Sequence, residues 1–135
     1  MFSSALAPDE LLVEVRVPVA PARTGSAYEK YADPASGYAI VGVAAVVTLG
    51  SNGAVERVRV ALTGLTPRAT RLEGVEQALM AKAPTSEQIE AAARRAADGL
   101  ELRDLTGGGA AYKSNLAVVY TRRALTRAVE RARSA

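Results

Sequence analysis

Apolar and polar positions repeat with a period of two in the first half of this chain and of about 3.6 in the second. Residues 11–17 (LLVEVRV) alternate apolar and charged side chains, which predicts a strand. Pro18 and Pro21 end it, so the stretch to Gly25 reads as a connector. Residues 25–31 predict a short strand, and Asp33-Pro34-Ala35-Ser36-Gly37 has turn chemistry. Residues 38–49 are small or β-branched almost throughout and predict the central strand. A strand that apolar calls for cover on both faces, part of it from beyond this chain's own helices. Gly50-Ser51-Asn52-Gly53 follows, with Asn-Gly the strongest short hairpin signal. Residues 55–63 then alternate, with Val58, Val60 and Leu62 facing one way and Arg57, Arg59 and Ala61 the other.

The period changes after residue 70. Thr70-Arg71-Leu72-Glu73 and Thr85-Ser86-Glu87-Gln88 both fit a capping box, a hydroxyl at the helix start answered by an acid or amide side chain. The first predicts a helix to about Lys82, stopped before Pro84, and the second a helix to about Ala97. The last helix is expected from about Ala111 to Arg133, with Leu116, Val119, Leu125, Ala128, Val129 and Ala132 as its apolar stripe. Strands first and helices afterwards argue an α+β domain: a three- to four-stranded antiparallel sheet with three helices on one face.

Composition narrows the chemistry. At 135 residues one domain is expected. Five Tyr, one Phe and no Trp leave the core to Val, Leu and Ala. The absence of Cys excludes disulfides and thiolate metal sites, and the absence of His excludes imidazole ligation and Ser-His or Cys-His catalysis. A net charge of +3 does not by itself announce a nucleic-acid partner. The opening MFSSALAPDELL carries acids and no basic n-region, unlike a signal peptide, and no apolar run approaches a membrane span, so a soluble cytoplasmic protein is expected.

Five stretches carry a resemblance: ALAPDELLVEVRVP at 5–18, AYEKYADPASGYAIVGVAAVV at 27–47, VRVALTGLTPRATR at 58–71, LEGVEQAL at 72–79 and AAYKSNLAVVYTRRAL at 110–125. In this order and spacing the chain resembles the C-terminal domain of the FAD-binding (medium) subunit of molybdenum hydroxylases, the group of aerobic carbon monoxide dehydrogenase and xanthine dehydrogenase. The resemblance implies a small antiparallel sheet with three helices packed on it, preceded in the intact subunit by an FAD-binding domain. Residues 1–20 then read as a connecting strand and linker from that domain, and residues 21–135 as the C-terminal domain itself. The family usually has an acid before the aromatic at 38, where Gly37 stands here, and Glu-Tyr-Arg where this chain has Ala111-Tyr112-Lys113. The family's glycine-rich diphosphate motifs belong to the preceding domain.

The resemblance makes Tyr38 the first candidate cofactor-binding residue. The side chain at this place in the family lies near the flavin and shields one face of it, excluding water from the isoalloxazine. Tyr28 and Lys30, on the preceding strand with one side-chain direction, are the next candidates, Lys30 as a cation beside the flavin. Three bland readings stand beside these. Gly107-Gly108-Gly109 lies between helical segments and reads as a connector, not a phosphate loop. The basic run Lys113, Arg122, Arg123, Arg127, Arg131 and Arg133 has no interleaved stacking aromatics and reads as a solvated helix face or a subunit contact. Glu73, Glu76, Glu87 and Glu90 suit helix N-terminal turns and exposed faces.

The function implied is that of an accessory domain of an oxidoreductase. It shields the FAD and contacts partner subunits, an iron–sulfur small subunit and a molybdenum large subunit, as electrons pass from the clusters to the flavin. The chain holds no catalytic residue of its own and is expected to be inactive alone, with FAD bound only in the intact subunit. The alternatives are a stand-alone interaction module forming a homodimer or larger homo-oligomer and, more distantly, a basic nucleic-acid-binding domain.

Overall fold

A computed structural model describes residues 6–102 and 109–135. Strands β1 (Thr24–Ala32), β2 (Ala39–Leu49), β3 (Val55–Thr63) and β4 (Thr70–Arg71) pair antiparallel in the order β1-β2-β3-β4. Helices α1 (Glu73–Leu79), α2 (Ser86–Ala93) and α3 (Gly109–Ser134) follow. The period of two sends Val41, Val43, Ala45, Val47 and Leu49 of β2 and Val58, Val60 and Leu62 of β3 to one face, where all are buried. Leu116, Ala117, Ala124, Leu125, Ala128, Val129 and Ala132 of α3 bury against this face. Helix α3 lies across β1 and β2, α1 packs on β3, and α2 sits between the other two helices. Burying one Val or Leu is worth about 1.5–3 kcal/mol, so this single-sided core holds the sheet and α3 together.

The predicted α+β architecture stands, with local corrections. Residues 11–17 form no strand: Leu11, Leu12, Val13, Val15 and Val17 are exposed and the segment joins no sheet among the described residues. A strand exists only beside a neighbour, and Pro18 and Pro21 lead the chain away before β1 begins. Thr70 does not cap a helix. Its hydroxyl donates to the Arg68 carbonyl, residues 70 and 71 add a short fourth strand to β3, and α1 starts at Glu73 with no side-chain cap. Thr85 does cap α2, its hydroxyl accepting from the Gln88 amide at 3.3 Å, but its own amide donates to the Ala83 carbonyl rather than to Gln88, and α2 ends at Ala93 rather than near Ala97. Helix α3 begins at Gly109, two residues before the expected start; Gly107 and Gly108 of the glycine run lie outside the described residues. The β2–β3 hairpin closes through a longer loop than Asn-Gly alone, with the Gly50 amide donating to the Ala54 carbonyl.

The second face of β2 is the one left for cover from beyond this chain's helices. It carries Gly42, Ala44, Val46 and Thr48, and among the described residues no helix covers it. Ala44 is exposed and Val46 retains 39% of its surface, so this face is half open.

Candidate functional site

The open face is where the predicted residues gather. Register places Tyr28 opposite Ala44 and Lys30 opposite Gly42, with Ala61 and Thr63 of β3 completing the same face. Tyr28 leans across its neighbour strand. A Cβ built on Gly42 would fall 2.3 Å from the Tyr28 hydroxyl oxygen and 3.0 Å from the ring carbon that bears it. The missing side chain at 42 is what lets the ring lie over β2. Gly42→Ala is therefore expected to swing Tyr28 off the face while leaving the fold intact, read as a change in Tyr28 ring NMR shifts with little change in melting temperature.

Tyr38 stands at one end of this face, immediately before β2, with 80% of its surface in water. The turn that carries it is closed by the Gly37 amide donating to the Asp33 carbonyl and the Asp33 amide to the Tyr38 carbonyl, both at 2.8 Å. Lys30 reaches the same turn, its Nζ donating to the Gly37 carbonyl at 3.1 Å. The structure thus brings Lys30 to the Tyr38 turn and sets Tyr28 on the adjoining sheet surface. Along the far rim stand Arg57, Arg59 and Arg71.

Two arrangements were not foreseen. Glu76, expected on an exposed face, is buried. Its carboxylate accepts from the Val60 amide at 2.9 Å and from the Arg71 guanidinium. Arg59 lies 3.7 Å away. Burial pulls the Glu76 carboxyl upward, but the Arg71 hydrogen bond, the Val60 amide and the charges of Arg71 and Arg59 outweigh it and hold the group below the usual carboxylate range. No sequence signal marked it: β4, itself unforeseen, pairs only with Ala61 and Leu62 and leaves the Val60 amide at the sheet edge for a side chain to satisfy.

The second is a tyrosine cluster at the other side of β1. Tyr31 and Tyr120 have ring centroids 6.1 Å apart, and the Arg123 guanidinium lies 5.0 Å over the Tyr120 ring. Partial desolvation and the adjacent Tyr31 push the Tyr112 phenol above its usual value. Other cations of the basic run also serve the fold. Arg127 pairs with Glu29 at 2.6 Å, and Arg131 and Arg133 donate to the carbonyls of Ser26 and Pro84. An open groove of about 590 Å³ between α2 and α3 mixes both signs, with Arg122, Arg123 and Arg127 facing Glu29, Glu90 and Glu130. Among the described residues no group of three or more acids is placed to hold a metal, and no helix is long and apolar enough to cross a membrane.

Residues 26–128 match the CO dehydrogenase flavoprotein C-terminal domain. The chain belongs to that family. It is 35% identical over 132 residues to subunit alpha of the 6-hydroxypseudooxynicotine dehydrogenase complex of Paenarthrobacter nicotinovorans, covering 98% of this chain and 45% of that one. To the carbon monoxide dehydrogenase medium chain of Hydrogenophaga pseudoflava it is 37% identical over 127 residues, covering 94% and 44%. Reconstituted CO dehydrogenase from Oligotropha carboxidovorans superposes with a TM-score of 0.81 at 29% identity, over 96% of this chain and 45% of that chain. The chain therefore spans less than half the length of the relatives it matches. The resemblance read from the five stretches is borne out: this is the flavoprotein C-terminal domain of the medium subunit of a molybdenum hydroxylase. The 26–128 match takes in the whole open face and the Tyr38 turn.

Proposed function

We propose that this domain closes over one face of the FAD isoalloxazine in the intact subunit, with Tyr38 as the shielding residue and Tyr28 and Lys30 on the flanking surface. One observation carries the reading: a tyrosine 80% exposed at the end of an uncovered sheet face that also bears an exposed tyrosine and a lysine. The open face, small at Ala44 and floored beside it by the Tyr28 ring lying over Gly42, suits a planar ring system. Among the described residues no glycine-rich strand-to-helix turn offers a cradle for a diphosphate. The residues thus fit the ring end of the cofactor and leave its phosphates to another domain. Bound FAD supplies the redox chemistry, here the passage of electrons from iron–sulfur clusters to an outside acceptor. The chain's own side chains exclude water, orient the ring and meet the partner subunits. Residues 1–20 are the connection to the FAD-binding domain, whose surface their exposed valines and leucines await.

The test mixes this full chain with FAD alone, and with FAD plus the remaining portion of the Hydrogenophaga pseudoflava medium chain. The chain alone is expected to elute without flavin. In the mixture, Tyr38 is expected to quench flavin fluorescence, and Tyr38→Ala to restore it several-fold. Stoichiometric flavin on the chain alone defeats the shared-site reading. A Tyr38→Ala mixture as dim as the unmodified one defeats the shielding role.

A further inference from the structure

We infer that Asp33 and Ser36 are positioning residues for Tyr38, forming a pre-ordered turn that holds the aromatic ring out for a partner instead of letting it fold back on the sheet. The inference rests on the flavin-shielding reading of Tyr38. Its basis is the density of hydrogen bonds in the turn. Asp33 Oδ1 accepts from the Ala35 amide at 3.0 Å, the Ser36 amide at 2.8 Å and the Ser36 hydroxyl at 2.9 Å. Ser36 Oγ in turn accepts from the Tyr38 amide at 3.3 Å, and the Tyr38 carbonyl accepts from the Asp33 amide at 2.8 Å. Both backbone groups of Tyr38 are therefore tied, directly or through Ser36, to one aspartate. Lys30 fastens the intervening Gly37 carbonyl from the side.

Closing a hairpin does not require this much. The turn at the opposite end of β2, residues 50–54, holds with two backbone hydrogen bonds and one from the Ala54 amide to Asn52 Oδ1, and it presents no aromatic residue. Nor does the Asp33 turn serve the core, since Pro34, Ala35, Ser36 and Gly37 are all exposed. A large ring kept in water on an ordered turn contributes nothing to folding. It does reduce the ordering cost when a partner covers it. The Ser36 amide and hydroxyl, with the Ala35 amide, hold the Asp33 carboxyl below the usual carboxylate range, so the acceptor stays charged at neutral pH.

Two readouts test the role on the full chain. Asp33→Ala is expected to speed amide hydrogen exchange at Gly37 and Tyr38 by about tenfold with an unchanged melting temperature. In the mixture with the FAD-loaded portion of the Hydrogenophaga pseudoflava medium chain, Asp33→Ala should brighten the flavin in the same direction as Tyr38→Ala. It should add nothing when combined with Tyr38→Ala. Asp33→Asn, which keeps the Oδ1 acceptor, should behave as the unmodified chain, and Ser36→Ala should fall between. If Tyr38→Ala brightens the flavin while Asp33→Ala changes neither exchange nor fluorescence, the positioning role is overturned and the shielding role survives. If Tyr38→Ala itself has no effect, shielding fails and positioning with it.

Discussion

Gly25→Ala should detach α3 from β1 and lower stability by about 3 kcal/mol or more, the upper range for forcing atoms into a filled core. A Cβ at position 25 would lie 2.0 Å from the Ala128 carbonyl oxygen and 2.4 Å from the Ala132 amide nitrogen. Both are backbone atoms of α3, held by helical hydrogen bonds, so neither can rotate away. Relief requires the whole helix to lift. Ala128, Val129 and Ala132 of α3, all buried, would then lift out of the core they share with Ala27, Ala45 and Val47 of the sheet. For a domain of this size the loss corresponds to a fall in melting temperature of about 10 °C. Gly42→Ala is the internal comparison. It adds the same methyl group to the same sheet, but its clash is with the free end of the Tyr28 side chain. A melting temperature for Gly25→Ala as high as for Gly42→Ala would show that α3 does not pack on β1 at backbone distance.

The contrast between these glycines explains what the sequence could and could not show. Residues 57–63 were legible because their period of two records one buried and one wetter face, a period that breaks only at the bulge before them, where Glu56 and Arg57 are both exposed. The same logic reads β2 as needing cover on both faces, and the structure shows which part this chain's helices do not reach. Ala44 and Val46 floor an open face, where small apolar side chains are tolerated in water. Local signals also misled where tertiary pairing won. Thr70 and Glu73 have capping-box spacing, but the β3 edge recruited residues 70 and 71 first. The alternation of residues 11–17 is sound strand chemistry without a neighbouring strand among the described residues.

The candidate site divides in the same way. That Tyr28 and Lys30 share a face follows from their spacing, and the register with Gly42 and Ala44 places them on the open one. That Asp33 ties down Tyr38 does not follow from spacing, because five residues of turn can close in several ways. The proline, serine and glycine announce a turn and leave its hydrogen bonds open. The resemblance supplied Tyr38, and the structure supplied the reason an exposed tyrosine can be a reliable surface: its backbone is fixed even though its side chain is free.

Glu76→Ala should cost about 2–3 kcal/mol, most of it from the Val60 amide left buried without an acceptor. Arg71 and Arg59 contribute less, since both guanidinium side chains are close to half exposed and water takes up their charge. Glu76→Gln separates the two effects. An amide oxygen can still accept from Val60, so this variant should lose only the charge-dependent part and lie between the other two in urea denaturation. The pH dependence follows from the sign of the shift. The folded carboxyl is held below its ordinary value of about 4.3, so the unfolded chain binds the proton more tightly. The stabilisation is then complete above the ordinary value and is lost as pH falls through the lowered folded one. The stability gap between the unmodified chain and Glu76→Gln should be constant from pH 8 to about 5 and shrink on further acidification. A gap that persists undiminished into acid would mean that the carboxylate's charge is not what fastens α1 to the edge of β3.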